Sequence, residues 1–186
     1  AQAAPEDEGL AGARLAIQDN ATTGRFVRQS YALDAMALRP AAPGEPPPQS
    51  ATDAARDLAA RGLRFLVLAL PADEVLAVAD ALKGSGVMLF NASAPDDRLR
   101  GAECRADLFH VAPSRAMQTD ALAQFLAFMR WRKLFLITGP QEGDKLWAEA
   151  MKRSAKKFGL QLAAERPWTF GPLARARGDT PTRAEA

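Results

Sequence analysis

Apolar residues along the chain fall into two kinds of run, some spaced as one face of a helix and others contiguous as in a buried strand. Leu10, Ala13 and Ile17 share one helical stripe, which breaks at "NATTG" with Gly24 as the stop. "YALDAMAL", residues 31–38, reads as a strand. The prolines of "RPAAPGEPPPQS" exclude both a helix interior and a central strand, so that stretch is expected to be an exposed loop. Ser50 stands three residues before Asp53 and predicts a capped helix over "ATDAARDLAARG", closed by Gly62 where a left-handed residue is wanted. "RFLVLAL" follows as a strand. Pro71 opens the next helix with Val75, Leu76, Ala79 and Leu82 on one stripe, and "KGSG" ends it before the strand "VMLFN".

The alternation continues. "LFHV" predicts a short strand, Ser114 caps a helix to about Arg130, and "KLFLIT" is a fully apolar strand. "DKLWAEAMKRSAKKFG" is a helix ended by Gly159, and "LQLAAE" a last strand. Strands apolar on both faces and separated by amphipathic helices predict an α/β fold: a Rossmann-like open, mostly parallel sheet with helices on both faces and right-handed crossovers. Residues 1–170 are expected to form a single lobe. The tail 171–186 has no apolar periodicity and is rich in charge and chain breakers, so disorder is expected there.

Composition narrows the classes. With 186 residues, 48% hydrophobic and 25% charged, the chain suits one globular domain. A net charge of +2 is too weak an asymmetry to imply nucleic acid or an anionic membrane as partner. No long apolar run is present, so no bilayer-spanning segment is expected. "AQAAP" resembles the small-residue stretch around a signal-peptidase cut, which predicts a processed, exported, periplasmic protein. Cys104, the single cysteine, excludes an internal disulfide and is expected to be unpaired on an irregular segment.

Several catalytic chemistries fail on residue detail. "LFLITGPQEGDK" has the strand, glycines and lysine of a phosphate-binding loop. However, Gly139 and Gly143 are one residue too close for that motif, Leu146 stands where a hydroxyl should reach magnesium, and Glu142 and Asp144 oppose phosphate. His110, the single histidine, lies within "LFHV", and neither Ser114 nor Cys104 brings the third partner that would orient it as a base. One histidine and one cysteine cannot supply a zinc shell. "RWRK", residues 130–133, and "KRSAKK", residues 152–157, read as a helix end and a solvated helix face. The chain is expected to be no enzyme, with no cofactor and no metal.

Binding chemistry has a better place. In an open doubly wound sheet, ligands sit outside the carboxyl ends of the strands. Three turns fall there: "PADE" after Leu70, "NASAPDD" after Phe90 and "GPQEGD" after Thr138. All present small or polar residues at helix starts, where backbone N–H groups could hold a small polar or anionic solute. The plainer alternative is that these are ordinary turns whose Asn, Ser and Asp satisfy their own backbone.

Five segments then carry a resemblance: "GLAGARLAIQDNATTGRF", "AARDLAARGLRFLVLALPAD", "NASAPDDRLRGAECRADLFHVAPSRAMQTDALAQFL", "RWRKLFLITGP" and "ERPWTF". From about Gly9 to Phe170 the chain resembles the first lobe of a type I periplasmic binding protein of the Leu/Ile/Val-binding-like family. More narrowly, it is similar to the substrate-binding proteins of ABC transporters associated with pyrroloquinoline-quinone-dependent alcohol catabolism, with "APDDRLRGAECRADLFHVAPSRAM" the most particular segment. The resemblance implies a receptor that captures a small-molecule solute between two closing lobes and delivers it to the membrane subunits of an ABC transporter. It further implies that "NASA", residues 91–94, corresponds to the turn that grips the ligand.

Asn91, Ser93 and Ala94, with Asp73, Thr138 and Gly139 on the flanking turns, are therefore the expected ligand-binding residues, and Asn91 and Ser93 are expected to face the open sheet edge. Two departures bear on the ligand. The turn "LPADEV" has no hydroxyl, and its acids Asp73 and Glu74 would repel an amino acid's carboxylate while accepting hydrogen bonds from hydroxyls or an amine. Relatives also begin with a central strand before the first helix and continue into a second lobe. Whether the chain lacks both stays open at this point, as does the alternative of a periplasmic interaction module without ligand binding.

Overall fold

The computed structural model describes residues 7–38 and 49–168. The N-terminal "AQAAP", most of the proline-rich loop and the tail from residue 171 lie outside the described residues. Where one lobe is expected over residues 1–170, contacts among the described residues form two compact units. One holds the chain up to Ala94 together with Glu103–Val111, and the other holds Pro95–Ala102 together with the chain from Ala112.

The first unit begins with α1, Glu8–Gly24, capped by the Asp7 carboxylate on the Leu10 N–H at 2.8 Å. A 3-10 turn, Arg25–Val27, runs into Arg28, whose positive φ of 57° redirects the chain. Residues 31–38 are not the expected strand: they are irregular, and no strand among the described residues pairs with them. Alanines and an aspartate are weak strand formers, and the segment is tied down by side chains instead, with Asp34 paired to Arg61.

Helix α2, Ala51–Ala60, starts at Ser50, whose hydroxyl accepts the Asp53 N–H at 3.1 Å, and Gly62 ends it with a φ of +90°. Then come β1, Phe65–Leu68; α3, Ala72–Ala81; β2, Met88–Asn91; and β3, Leu108–His110. The three strands form one parallel sheet in the order β1-β2-β3, with Leu68 opposite Asn91 and Asn91 opposite His110. The two-residue period of the strands decides which side chains are buried. Leu66, Leu68, Leu89, Asn91 and Leu108 point to one face and are buried, as are Ala54 and Ala55 of α2 and the α3 stripe Ala72, Val75, Val78 and Ala79. Phe65 and Val67 on the opposite face are about two-thirds exposed, at 64% and 66%.

The second unit holds a 3-10 turn, Asp97–Arg100; α4, Arg115–Phe128; β4, Lys133–Thr138; α5, Glu142–Lys157; and β5, Gln161–Pro167. Strands β4 and β5 pair in parallel, with a register shift between Leu134 and Phe135. Helix α4 ends two residues before the expected Arg130. Arg130 takes a left-handed φ of 62°, and the Trp131 N–H donates to the Leu126 carbonyl at 2.9 Å, closing the helix as glycine usually does. The core of this unit is Ala123, Met151, Ala155 and Leu160, with Leu134, Leu136 and Leu162 of the sheet packed against it. The expected α/β class, parallel strands joined by helices, is what the chain adopts.

Candidate functional site

Asn91 ends β2 with its side chain inward and is fully buried. Its hydrogen-bonding capacity is used up within the turn and against His110 of β3. Oδ1 accepts the N–H groups of Ser93 and Ala94 at 3.2 and 2.8 Å, and Nδ2 donates to the Ala94 carbonyl at 2.8 Å and lies 3.1 Å from His110 Nδ1. This corrects the expectation that Asn91 faces the open edge. An amide at that position completes its bonds by folding the chain back over itself, so the Ser93 and Ala94 N–H groups are committed to Asn91, while the Ala92 N–H donates to the Leu68 carbonyl at 2.9 Å. Ala94 is likewise buried, at 3% exposure.

Ser93 alone of the three faces outward. Its hydroxyl donates to the Leu70 carbonyl at 2.9 Å, which ties the turn after β2 to the turn after β1. Three residues beyond Leu70, Asp73 is exposed in the first turn of α3, whose N-cap Pro71 makes no side-chain cap. The structure therefore brings Ser93 and the Asp73 turn together at the carboxyl edge of the first sheet. The Ser93 oxygen keeps its acceptor capacity there, and Asp73 adds a carboxylate.

The two aspartates after "NASA" have a different job, within the second unit. Asp96 pairs with Arg115 at 3.0 Å, and Asp97 accepts the Ala116 N–H at 2.9 Å and a bond from Arg153 at 2.7 Å. They cap the start of α4 and tie it to α5, so they are structural.

Thr138 and Gly139 end β4 at the carboxyl edge of the second sheet. The Thr138 carbonyl accepts the Trp168 N–H at 2.7 Å, while its Oγ1 is buried and has no hydrogen-bond partner among the described residues. Gly139 is required by a close approach: a Cβ there would lie 2.2 Å from Asp144 Oδ2. That carboxylate is held in place because it caps α5 by accepting the Gln141 N–H at 3.0 Å. Beside these residues runs a cleft of about 460 Å³, walled by Gln118 and Leu122 of α4, Leu136 of β4 and Trp147 of α5. Arg115 lies over the Trp147 ring, 5.9 Å from its centre. The sequence reading passed over this helical wall, although Gln118 and Leu122, and Asp144 and Trp147, stand one turn apart on their helices.

Ion pairs elsewhere stabilise the frame. The Lys157 ammonium and the Ser154 hydroxyl beside Asp120 hold its carboxyl below the usual carboxylate range, and a two-pronged Arg105 contact does the same for Asp80. His110 is accounted for by its contact with Asn91, and Cys104 is exposed on an irregular segment with a free thiol. Among the described residues, no cluster of His, Cys, Asp and Glu could hold a metal ion, and no helix is long and apolar enough to cross a membrane.

Against known proteins, the profile of the periplasmic binding protein family matches residues 42–174. The chain belongs to this family. Its fold is shared with the ABC transporter substrate-binding protein from Desulfitobacterium hafniense in complex with leucine. The two are 15% identical with a TM-score of 0.56, over 69% of this chain and 38% of that one. A branched chain amino acid ABC transporter periplasmic ligand-binding protein from Burkholderia xenovorans gives 18% identity and a TM-score of 0.57, over 69% of this chain and 36% of that one. The leucine-, isoleucine-, valine-, threonine- and alanine-binding protein from Brucella ovis gives 17% and 0.53, over 69% and 37%. The chain thus spans somewhat over a third of the length of these proteins. No protein of curated function matches the sequence. The family and these neighbours are binding proteins rather than enzymes.

Proposed function

We propose that the chain is the solute-binding component of a periplasmic ABC transporter system, holding a small polar solute at the carboxyl edge of a parallel sheet and passing it to the transporter's membrane subunits. The family match over residues 42–174 carries this reading. The exposed hydroxyl of Ser93, held 2.9 Å from the Leu70 carbonyl beside the Asp73 turn, gives it a place in the first unit, and the Thr138–Gly139 turn gives it one in the second. Asn91 and Ala94 serve as the frame that aims Ser93. No chemical step is needed, since capture and release suffice. An exported, periplasmic location follows from the same reading. The segment 94–117 supports the narrower placement beside pyrroloquinoline-quinone-dependent alcohol catabolism.

The neighbours from Desulfitobacterium and Brucella are described with amino acids, yet Asp73 and Glu74 in the first turn of α3 oppose a carboxylate at that edge. A solute that offers hydroxyl or amine donors suits these acids better. The test is Ser93→Ala with titration calorimetry of the solute found to bind. Affinity should fall by roughly 1 kcal/mol or more, because a hydrogen bond to the ligand is lost. Unchanged affinity in a folded variant would contradict the role of Ser93.

A further inference from the structure

Helix α4 is apolar on two sides. Thr119 and Ala123 are buried in the second unit, while Leu122, Phe125 and Met129 form a separate stripe at i, i+3 and i+7 that is exposed. Phe128, one turn beyond Phe125, is 82% exposed, and Trp131, just past the helix end, is 56% exposed with its ring edge-on to Phe125 at 6.4 Å. A surface helix normally turns a polar face to water, so an outer face of bare rings is a contact surface. Cations surround it. Arg130, Arg132 and Lys133 follow in sequence, and no acidic residue lies between Asp120 and Glu142. The Arg132 guanidinium lies beside Gly159 at the end of α5, whose last turn carries Lys156. Among the described residues of this unit, Arg115, Lys145, Lys152, Arg153 and Lys157 each pair with an acid, whereas Arg130, Arg132, Lys133 and Lys156 pair with none. The net charge of +2 is a weak asymmetry for the whole chain, but here four unpaired cations gather at one end of a unit. A cation at a helix C-terminus favours the helix dipole, which accounts for Arg130 and Lys156. It does not account for Lys133, the first residue of β4, or for the exposed rings alongside.

We propose that this end of the second unit docks on the surface of an anionic phospholipid bilayer, with Phe128 and Trp131 among the headgroups and Arg130, Arg132, Lys133 and Lys156 against lipid phosphates. Rings flanked by cations are the combination that holds a peripheral helix in a bilayer interface, the rings by burial and the cations by attraction to negative lipid. A second copy suits the face less well, because a two-fold contact would set these cations against their own counterparts with no acid to meet them. Asp120, the acid at hand on α4, is held by Lys157 and Ser154. Lys133 begins β4 and Thr138 ends it, so the docked end lies about 17 Å along the strand from the Thr138–Gly139 turn. The carboxyl edge of that sheet then faces away from the lipid and stays open to solutes. Solute capture there neither requires nor excludes the docking.

The experiment is flotation of the chain with vesicles of phosphatidylcholine alone or with about one-third phosphatidylglycerol, at low and at high salt. Binding to the anionic vesicles is expected to saturate, to be at least about tenfold tighter than to neutral ones, and to fall about tenfold or more between roughly 0.05 and 0.5 M sodium chloride. Phe128→Ser, at a position too exposed to carry the fold, should weaken binding about fivefold, and so should Arg132→Gln combined with Lys133→Gln. Arg14→Gln combined with Lys83→Gln removes the same charge from exposed sites of the first unit and should leave binding within about twofold. Equal binding to neutral vesicles, or binding to neither kind, would overturn the proposal. Unchanged binding of Phe128→Ser would overturn it as well, by reducing the contact to charge alone, as would equal losses in the two charge-removing pairs. If the chain instead forms a concentration-dependent dimer that Phe128→Ser abolishes, and ignores vesicles, the face is a self-contact and the proposal fails.

Discussion

Asn91 shows how one side chain can organise a site without touching what the site binds. Four contacts, two accepted and two through Nδ2, close the turn after β2 and fix the direction in which Ser93 leaves it. Replacing Asn91 with Ala strands the Ser93 and Ala94 N–H groups and the Ala94 carbonyl, two of the three within a buried turn, and should cost about 2–4 kcal/mol in urea unfolding. A loss below about 1 kcal/mol would mean the turn holds itself. The importance of "NASA" was legible in the sequence, but its orientation was not. Strand parity decides orientation, and "VMLF" is apolar at every position, so either set of alternate residues could have been the buried one. Leu89 and Asn91 turn out to share the buried face, with Phe90 on the other.

Helices were easier to read than strands, because their ends carry chemistry that acts locally. Ser50, Ser114 and Gly62 do what their types predict, with the Ser114 hydroxyl accepting the Met117 N–H at 3.2 Å. A strand depends on a neighbour that may be far away in sequence, and residues 31–38 have no such neighbour among the described residues. The joint between α4 and α5 could not be read either, since Thr119, Asp120, Ser154 and Lys157 meet across more than thirty positions. That joint titrates. Folding lowers the Asp120 pKa, first through Lys157 and then through Ser154. Its contribution is therefore full above the unfolded carboxylate value and is lost as the pH falls through the lower folded value. Asp120→Asn should flatten the acid limb of the stability–pH curve measured by urea unfolding, with the difference from the parent chain shrinking toward low pH. An acid limb of the same slope in both proteins would contradict this.

At the scale of the molecule, parallel strands joined by helices place the turns at carboxyl edges, and this much was visible from the order of apolar runs alone. The division into two units was not, because "NASAPDD" reads as one polar turn. In the structure its first half belongs to one unit and its aspartates brace the helices of the other. The account's central claim is that such an edge captures a solute. The most direct measurement is the thermal unfolding midpoint of the chain against amino acids, carboxylic acids, alcohols and amines at millimolar concentration. Capture predicts that one donor-bearing class raises the midpoint progressively with concentration, as binding to the folded state alone requires. A midpoint that no solute moves, in a chain that instead copurifies with a protein partner, would contradict it.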